Sequence, residues 1–292
     1  MSADNVVRLE KSPAMSGLYV RALLRRTDGQ QDLPTLAVEL DDQRVDMRHV
    51  QHYRHICGFS GQGPLPISYP HMLAFPLHLA LMTDKAFPFP LLGLVHVSNR
   101  IEQLRPVWPR EVLRVKCYLG ELKAHPKGQT FSIHSEIWSG RECCWRSESV
   151  NLFRGAPVSG PQAVKSNSID TLDGLVETDR WPLPSSLGRA YGRISGDINP
   201  IHLHPLSAKL FGFERHIAHG MWLKARTLAK LLPTEERRAV QVAVEFKRPV
   251  FLPAELSLRE ASRSETKKTF ALYSADGSEL HLQGQLDYLR GV

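Results

Sequence analysis

The feature that most limits what this chain can fold into is an internal repeat. Arg105-Pro106-Val107 recurs as Arg248-Pro249-Val250, 143 residues later, inside longer parallel stretches that run over 95–112 and 240–256. Each copy is preceded by an apolar helical segment, 71–82 in the first half and 220–232 in the second. Each is followed by segments of alternating apolar residues, at 112–122, 129–139 and 142–153, then at 256–262, 268–274 and 279–289, the period of half-buried strands. One helix and then a run of antiparallel strands therefore occurs twice. A helix that is apolar nearly all round must be buried on every side, and a sheet curling round it achieves that. The Pro-, Ser- and Gly-rich stretch 155–168 lies between the copies and reads as a linker. The expectation is an α+β chain with two antiparallel sheets, each wrapped around a central buried helix. Its first unit covers 1–154, a linker 155–175, and its second unit 176–292.

Composition narrows the function classes. A chain of 292 residues with 42% hydrophobic and 23% charged residues is ordinary for a soluble globular protein and long enough to bury two cores. No run reaches the roughly 18 apolar residues of a membrane span, and the opening residues lack the apolar core of a signal peptide. A cytoplasmic protein is expected, with no membrane partner. Net charge is +7, but the basic residues are scattered rather than gathered into a block, so nucleic-acid binding has no sequence motive. A modest positive field suits a small anionic partner better. Cys57, Cys117, Cys143 and Cys144 show no Cys-x-x-Cys spacing and read as reduced packing residues.

Chemistry concentrates in Tyr191-Gly192-Arg193-Ile194-Ser195-Gly196-Asp197-Ile198-Asn199-Pro200-Ile201-His202 and in the downstream Ile217-Ala218-His219-Gly220-Met221. Asn-Pro initiates a turn and keeps Asn199 out of the helical region, so the chain bends between Asp197 and His202. Pro200 suits the first position of a helical turn. Pro205 pushes His204 out of helical geometry and starts a helix to about Phe211, which Gly212 can close. Two prolines and two glycines stiffen the surroundings of one carboxylate and one imidazole, as a preorganised acid/base pair needs. The same pattern also describes an ordinary capped turn. His49, His52 and His55 recur once per turn on a helix over 46–59, but no Cys or carboxylate completes a metal set, and a solvated face is the expectation.

The pattern Ser-Gly-Asp-x-Asn-Pro-x-His followed by Ala-His-Gly-Met closely resembles the hydratase signature of MaoC-like (R)-specific enoyl-thioester hydratases and 3-hydroxyacyl-thioester dehydratases. The resemblance is strongest over about 185–292 and only architectural before that. It implies a double hotdog fold. It also implies reversible syn hydration of a trans-2-enoyl thioester to an (R)-3-hydroxyacyl thioester, with coenzyme A or acyl carrier protein as the carrier. Carried over by position, Asp197 and His202 are catalytic, Gly220 supplies an oxyanion site, and Asn199 gives a supporting hydrogen bond. His219 contacts substrate or caps the turn. No metal or redox cofactor is implied.

Gly220 also has a purely local reading, since it opens the second apolar helix and permits tight packing there. As a helix start it equally offers unpaired N–H groups and a partial positive charge to a thioester oxygen. The first half lacks the Asp-x-Asn-Pro-x-His set. It is expected to shape the acyl cleft and to stand in for the second subunit of a simpler dimer, leaving a monomeric pseudo-dimer or a homodimer of it. Its His71 and His78 read as helix-end and core residues, with polar lining as the alternative. Lys247 and Arg248 repeat Leu104 and Arg105, which argues for structure over phosphate binding. The family commonly has an acidic residue where this chain has His204, so a helix cap worth about 1 kcal/mol is expected to be lost. A hotdog acyl-thioesterase and a non-catalytic acyl-binding scaffold are the alternatives to a hydro-lyase.

Overall fold

The protein was studied as a computed structural model, which describes residues 6–24, 32–91, 93–155, 169, 171–233 and 239–289. In chain order the elements are β1 (Val6–Leu9), α1 (Met15–Leu24), β2 (Ala37–Gln43), α2 (Met47–Cys57), α3 (Pro70–Met82), β3 (Val95–Gln103), β4 (Leu113–His125), β5 (Gly128–Ser139) and β6 (Glu142–Arg154). The second half adds β7 (Val176–Leu183), α4 (Leu187–Ser195), a 3-10 turn (Pro200–His202), α5 (Pro205–Lys209), α6 (Gly220–Leu231), β8 (Val240–Phe246), β9 (Ala254–Ser262), β10 (Lys267–Ser274) and β11 (Leu280–Tyr288). The strands and helices expected from the repeat are all present within a few residues at each end. The edge strands β1 and β7, the strand β2 beside the first edge, and the helices α1 and α4 carry weaker patterns that the repeat did not expose. Most of the linker lies outside the described residues.

Alternation dictates the strands: Leu113, Val115 and Cys117 of β4 are buried and the residues between them are not, as are Val240, Val242 and Val244 of β8. The helix α3 lies against β2, β4 and β5. Each of its fully buried leucines, Leu77 and Leu81 among them, contributes about 2 kcal/mol of apolar burial.

Where the sequence leads one to expect two sheets, the strands form one eleven-stranded mixed sheet in the order β1-β2-β4-β5-β6-β3-β8-β11-β10-β9-β7. Among the described residues only β1 and β2 pair in parallel. The two halves meet edge to edge through β3 and β8, the very strands of the repeat. Ser98 pairs with Glu245, Arg100 with Ala243, and Glu102 with Gln241. At the repeat offset of 143 residues, Ser98 is equivalent to Gln241, Arg100 to Ala243 and Glu102 to Glu245. The ladder therefore exchanges equivalent residues, as a two-fold axis through the Arg100–Ala243 pair requires.

Lys224 of α6 seals this seam. It is fully buried, and its Nζ donates to Asn99 Oδ1 at 2.6 Å while lying 3.2 and 3.3 Å from the carbonyls of Asn99 and Val242. Burial pushes its amine well below the usual lysine value. The four cysteines are free thiols. Among the described residues no helix is long and apolar enough to cross a membrane.

Candidate active site

The loop after α4 is shaped by glycine on one side and by prolines on the other. Gly188 and Gly192 stand one turn apart on α4, and the loop backbone lies in the groove they leave. A Cβ at Gly188 would meet the His202 carbonyl oxygen at 1.9 Å, and one at Gly192 the Asp197 carbonyl oxygen at 2.9 Å. Gly196 ends α4 in the left-handed region at φ 74°. Asn199 then turns extended, with φ −54° and ψ 127°, and its Oδ1 accepts the Ile201 N–H, starting the 3-10 turn at Pro200. His204 is extended as expected. It also replaces the cap thought lost, because its Nδ1 accepts the Leu206 N–H at the start of α5.

These turns bring Asp197, His202 and His219 together, with one ligand-type atom of each within 4.8 Å of the others. Asp197 Oδ1 accepts from the Tyr19 hydroxyl at 3.0 Å and from the Asn199 N–H at 3.2 Å. The other oxygen, Oδ2, lies 3.9 Å from His219 Nε2. His202 Nδ1 lies 2.8 Å from the Ile217 carbonyl. A carbonyl only accepts, so Nδ1 carries the hydrogen and Nε2 keeps its lone pair. His219 Nε2 donates to the Asp197 carbonyl at 3.0 Å, and its ring stacks on His202 at 3.7 Å between centroids. Its side chain makes no cap hydrogen bond to α6, and its Nδ1 is buried without a hydrogen-bond partner among the described residues.

Burial sets the charges. It pushes the His219 imidazole down to about 3, helped by His202 and opposed by Asp197. It lowers His202 too, against Asp197 and the Ile217 hydrogen bond, which favour the proton. Burial would raise the Asp197 carboxyl, but the two imidazoles, the Asn199 N–H and the Tyr19 hydroxyl outweigh it and hold it below the ordinary range. Near neutrality the site therefore holds a carboxylate beside neutral imidazoles.

Gly220 opens α6, where no side chain caps the helix. The Trp222 and Leu223 N–H groups return to the His219 carbonyl, so those of Gly220 and Met221 form the free end. A Cβ at Gly220 would meet the Phe246 ring at 2.9–3.1 Å.

Asp197, Asn199, His202, His219 and Gly220 all line one cavity of about 240 Å³. Sequence reasoning missed Tyr19, whose hydroxyl also accepts the Ile198 N–H at 3.1 Å. Nothing in its local sequence marks it. A signal did exist for the groove, in the four-residue glycine spacing of α4. The first half contributes a wall from α3 in which His71 lines the cavity, while His78 sits in the core against Ser135 Oγ at 2.6 Å. Lys247 and Arg248 border the cavity and are paired with Glu245 and Glu279. Of the α2 histidines, His49 bonds Tyr69 and the Ile194 carbonyl, while His52 and His55 are exposed. They form no ligand cluster among the described residues.

The MaoC like domain family matches residues 172–282. The chain is 31% identical over 242 residues to 3-hydroxyacyl-thioester dehydratase X of Mycobacterium tuberculosis, covering 80% of this chain and 81% of that protein. It is 37% identical over 71 residues to the (R)-specific enoyl-CoA hydratase of Aeromonas caviae, covering 23% of this chain and 53% of that one. Among solved structures, HtdX of Mycobacterium tuberculosis superposes with a TM-score of 0.75 at 27% identity, covering 87% of this chain and all of that chain.

Proposed function

Because this chain belongs to the MaoC-like dehydratase family, we propose that it adds water reversibly and with syn geometry across a trans-2-enoyl thioester, giving the (R)-3-hydroxyacyl thioester. The chain is a hydro-lyase of the hydroxyacyl-thioester class. The observation that carries the finer reading is the tautomer of His202. With Nδ1–H committed to the Ile217 carbonyl, Nε2 is a free base beside the carboxylate of Asp197, so one water can be held between them. Asp197 and His202 deliver hydroxide to the β-carbon and return the proton to the α-carbon from the same face. Charge that grows on the thioester oxygen meets the N–H groups at the start of α6, and Gly220 lets the substrate approach that backbone closely. Asn199 and His219 act on Asp197 itself, through the Asn199 N–H and the His219 ring.

The halves are read as two hotdogs, 1–154 and 176–292 around a linker at 155–175, paired within one chain as a monomeric pseudo-dimer. Only the second bears the acid and the base. The substrate is an acyl-CoA or acyl carrier protein thioester.

The test is to mix the protein with a trans-2-enoyl-CoA and follow the conjugated-thioester absorbance and free thiol together. Loss of absorbance without thiol is the expected result, unchanged by a chelator. Thiol release would replace the reading with thioester hydrolysis, and silence in both channels with a binding scaffold. Chiral analysis of the product checks the (R) assignment.

A further inference from the structure

The cavity extends past the proposed catalytic groups into the first half, where α3 contributes a stripe at helical spacing: His71, Phe75, Leu79 and Met82. Three of these are apolar, as a hydrocarbon chain requires. His71 is not. It is only 4% exposed, and its Nδ1 is buried with no hydrogen-bond partner among the described residues. From β3, His96 lines the same cavity, and its Nε2 is likewise buried and unpartnered. Its cross-strand neighbour Asn151 lines the cavity as well. The nearby core histidine shows the contrast. His78, whose ring lies 5.2 Å from that of His71, stays out of the cavity and has its Nε2 satisfied by Ser135. Protein atoms thus satisfy Nε2 of the core histidine, whereas each of the two cavity-lining histidines keeps one buried ring nitrogen without a partner among the described residues.

An unpaired buried polar atom costs about 1–3 kcal/mol, which an apolar residue of similar size would avoid. We propose that His71 and His96 form a polar subsite in the acyl part of the cavity, selecting an acyl chain that carries a hydroxyl group beyond the reacting carbons. The inference rests on reading the cavity as an enoyl-thioester site. A hydroxyl both donates and accepts, so it satisfies either tautomer of each ring. An anionic substituent fits worse. Burial pushes His96 down to about 4 and His71 well below its ordinary value, so both rings are neutral. A carboxylate there would be desolvated between two neutral rings.

The experiment compares kcat/KM for an unsubstituted trans-2-enoyl-CoA with chain-length-matched isomers carrying one hydroxyl at successive carbons beyond the double bond. At one position the hydroxylated substrate is expected to win by at least about tenfold, the worth of a hydrogen bond to a buried group. That ratio collapses in His71→Leu and shrinks in His96→Phe, whereas His71→Asn, which keeps a hydrogen-bonding group, retains part of it. Melting curves identify any variant that does not fold. Equal kcat/KM at every position, with the ring nitrogens met by water, overturns the subsite. So does a preference that survives in the His71→Leu/His96→Phe double variant. Calorimetric Kd values for the matched saturated acyl-CoA pair read the same ratio without turnover. A protein that hydrates nothing therefore refutes the hydration reading while the subsite is still tested.

Discussion

The loop that leads into α3 and the loop that leads into α6 hold corresponding places in the two halves, and they are built for opposite ends. The first is stitched into the core. Tyr53 donates to Ser68 Oγ, Trp145 Nε1 to the Ile67 carbonyl, and Arg54 to the carbonyls of Ser60 and Pro64, while Leu65, Ile67 and Tyr69 are buried. Its helix opens on Pro70, which has no N–H to offer. The second loop keeps Asp197 and His202 turned to the cavity, and its helix opens on Gly220, where the backbone N–H is bare. One frame thus carries a plug in one copy and a candidate active site in the other. Polar side chains are satisfied by protein in the first and left partly uncommitted in the second.

The contrast breaks most visibly at the acid and the base. Asp197→Asn and His202→Ala are expected to cut kcat by about 10²–10⁴-fold with unchanged melting behaviour. Ser68→Ala in the plug should cost about 1 kcal/mol of stability and leave turnover intact. Near-normal turnover in the folded Asp197 or His202 variant would end the distinction. Gly220→Ala comes next. Its methyl group presses on the Phe246 ring and shifts the helix end, so kcat should drop by about tenfold to a hundredfold. Phe246→Leu in the same chain, by making room, should restore part of it.

Tyr19→Phe sharpens the comparison from outside both loops. Losing its hydrogen bond to Asp197 should lower kcat about tenfold with little change in KM. Since that bond helps hold the carboxyl low, the acid limb of the kcat profile should move to higher pH. A purely structural role for Tyr19 would leave that limb in place. The smallest effect concerns the seam. The folded value of Lys224 is lowered from 10.5, so between the two values the unfolded chain binds more protons there. Its contribution is thus present above that ordinary value and is lost as pH falls below it. Stability should rise between pH 7 and pH 10 by up to about 1.4 kcal/mol per pH unit from this group. Thermal melting of Lys224→Met across that range should be flatter.

Much of this was legible in the chain. The Arg-Pro-Val repeat located the strands that meet at the seam, and the turn chemistry around Asn199-Pro200 and Pro205 held almost residue by residue. The misses have separate causes. Tyr19 reaches Asp197 across 178 positions, and no local pattern marks a hydroxyl for such a partner. At His204 the family's acidic residue suggests a missing cap, but the imidazole Nδ1 accepts the Leu206 N–H in its place. The two expected sheets merged because β3 and β8 each had an edge free, and antiparallel pairing about a two-fold axis satisfied both rows of backbone groups.

The sequence by itself determined that a helix-and-strand unit occurs twice and that only one copy holds the acid, the imidazole and the helix-opening glycine. Periodicity and turn preference are local, so they survive in a linear reading. Tertiary structure alone decided which nitrogen of His202 is free, that His219 lies stacked and low in pKa against it, and that His71 faces the cavity while His78 does not. Tautomer, desolvation and orientation depend on atoms brought in from distant parts of the chain, and only the packed fold puts them in place.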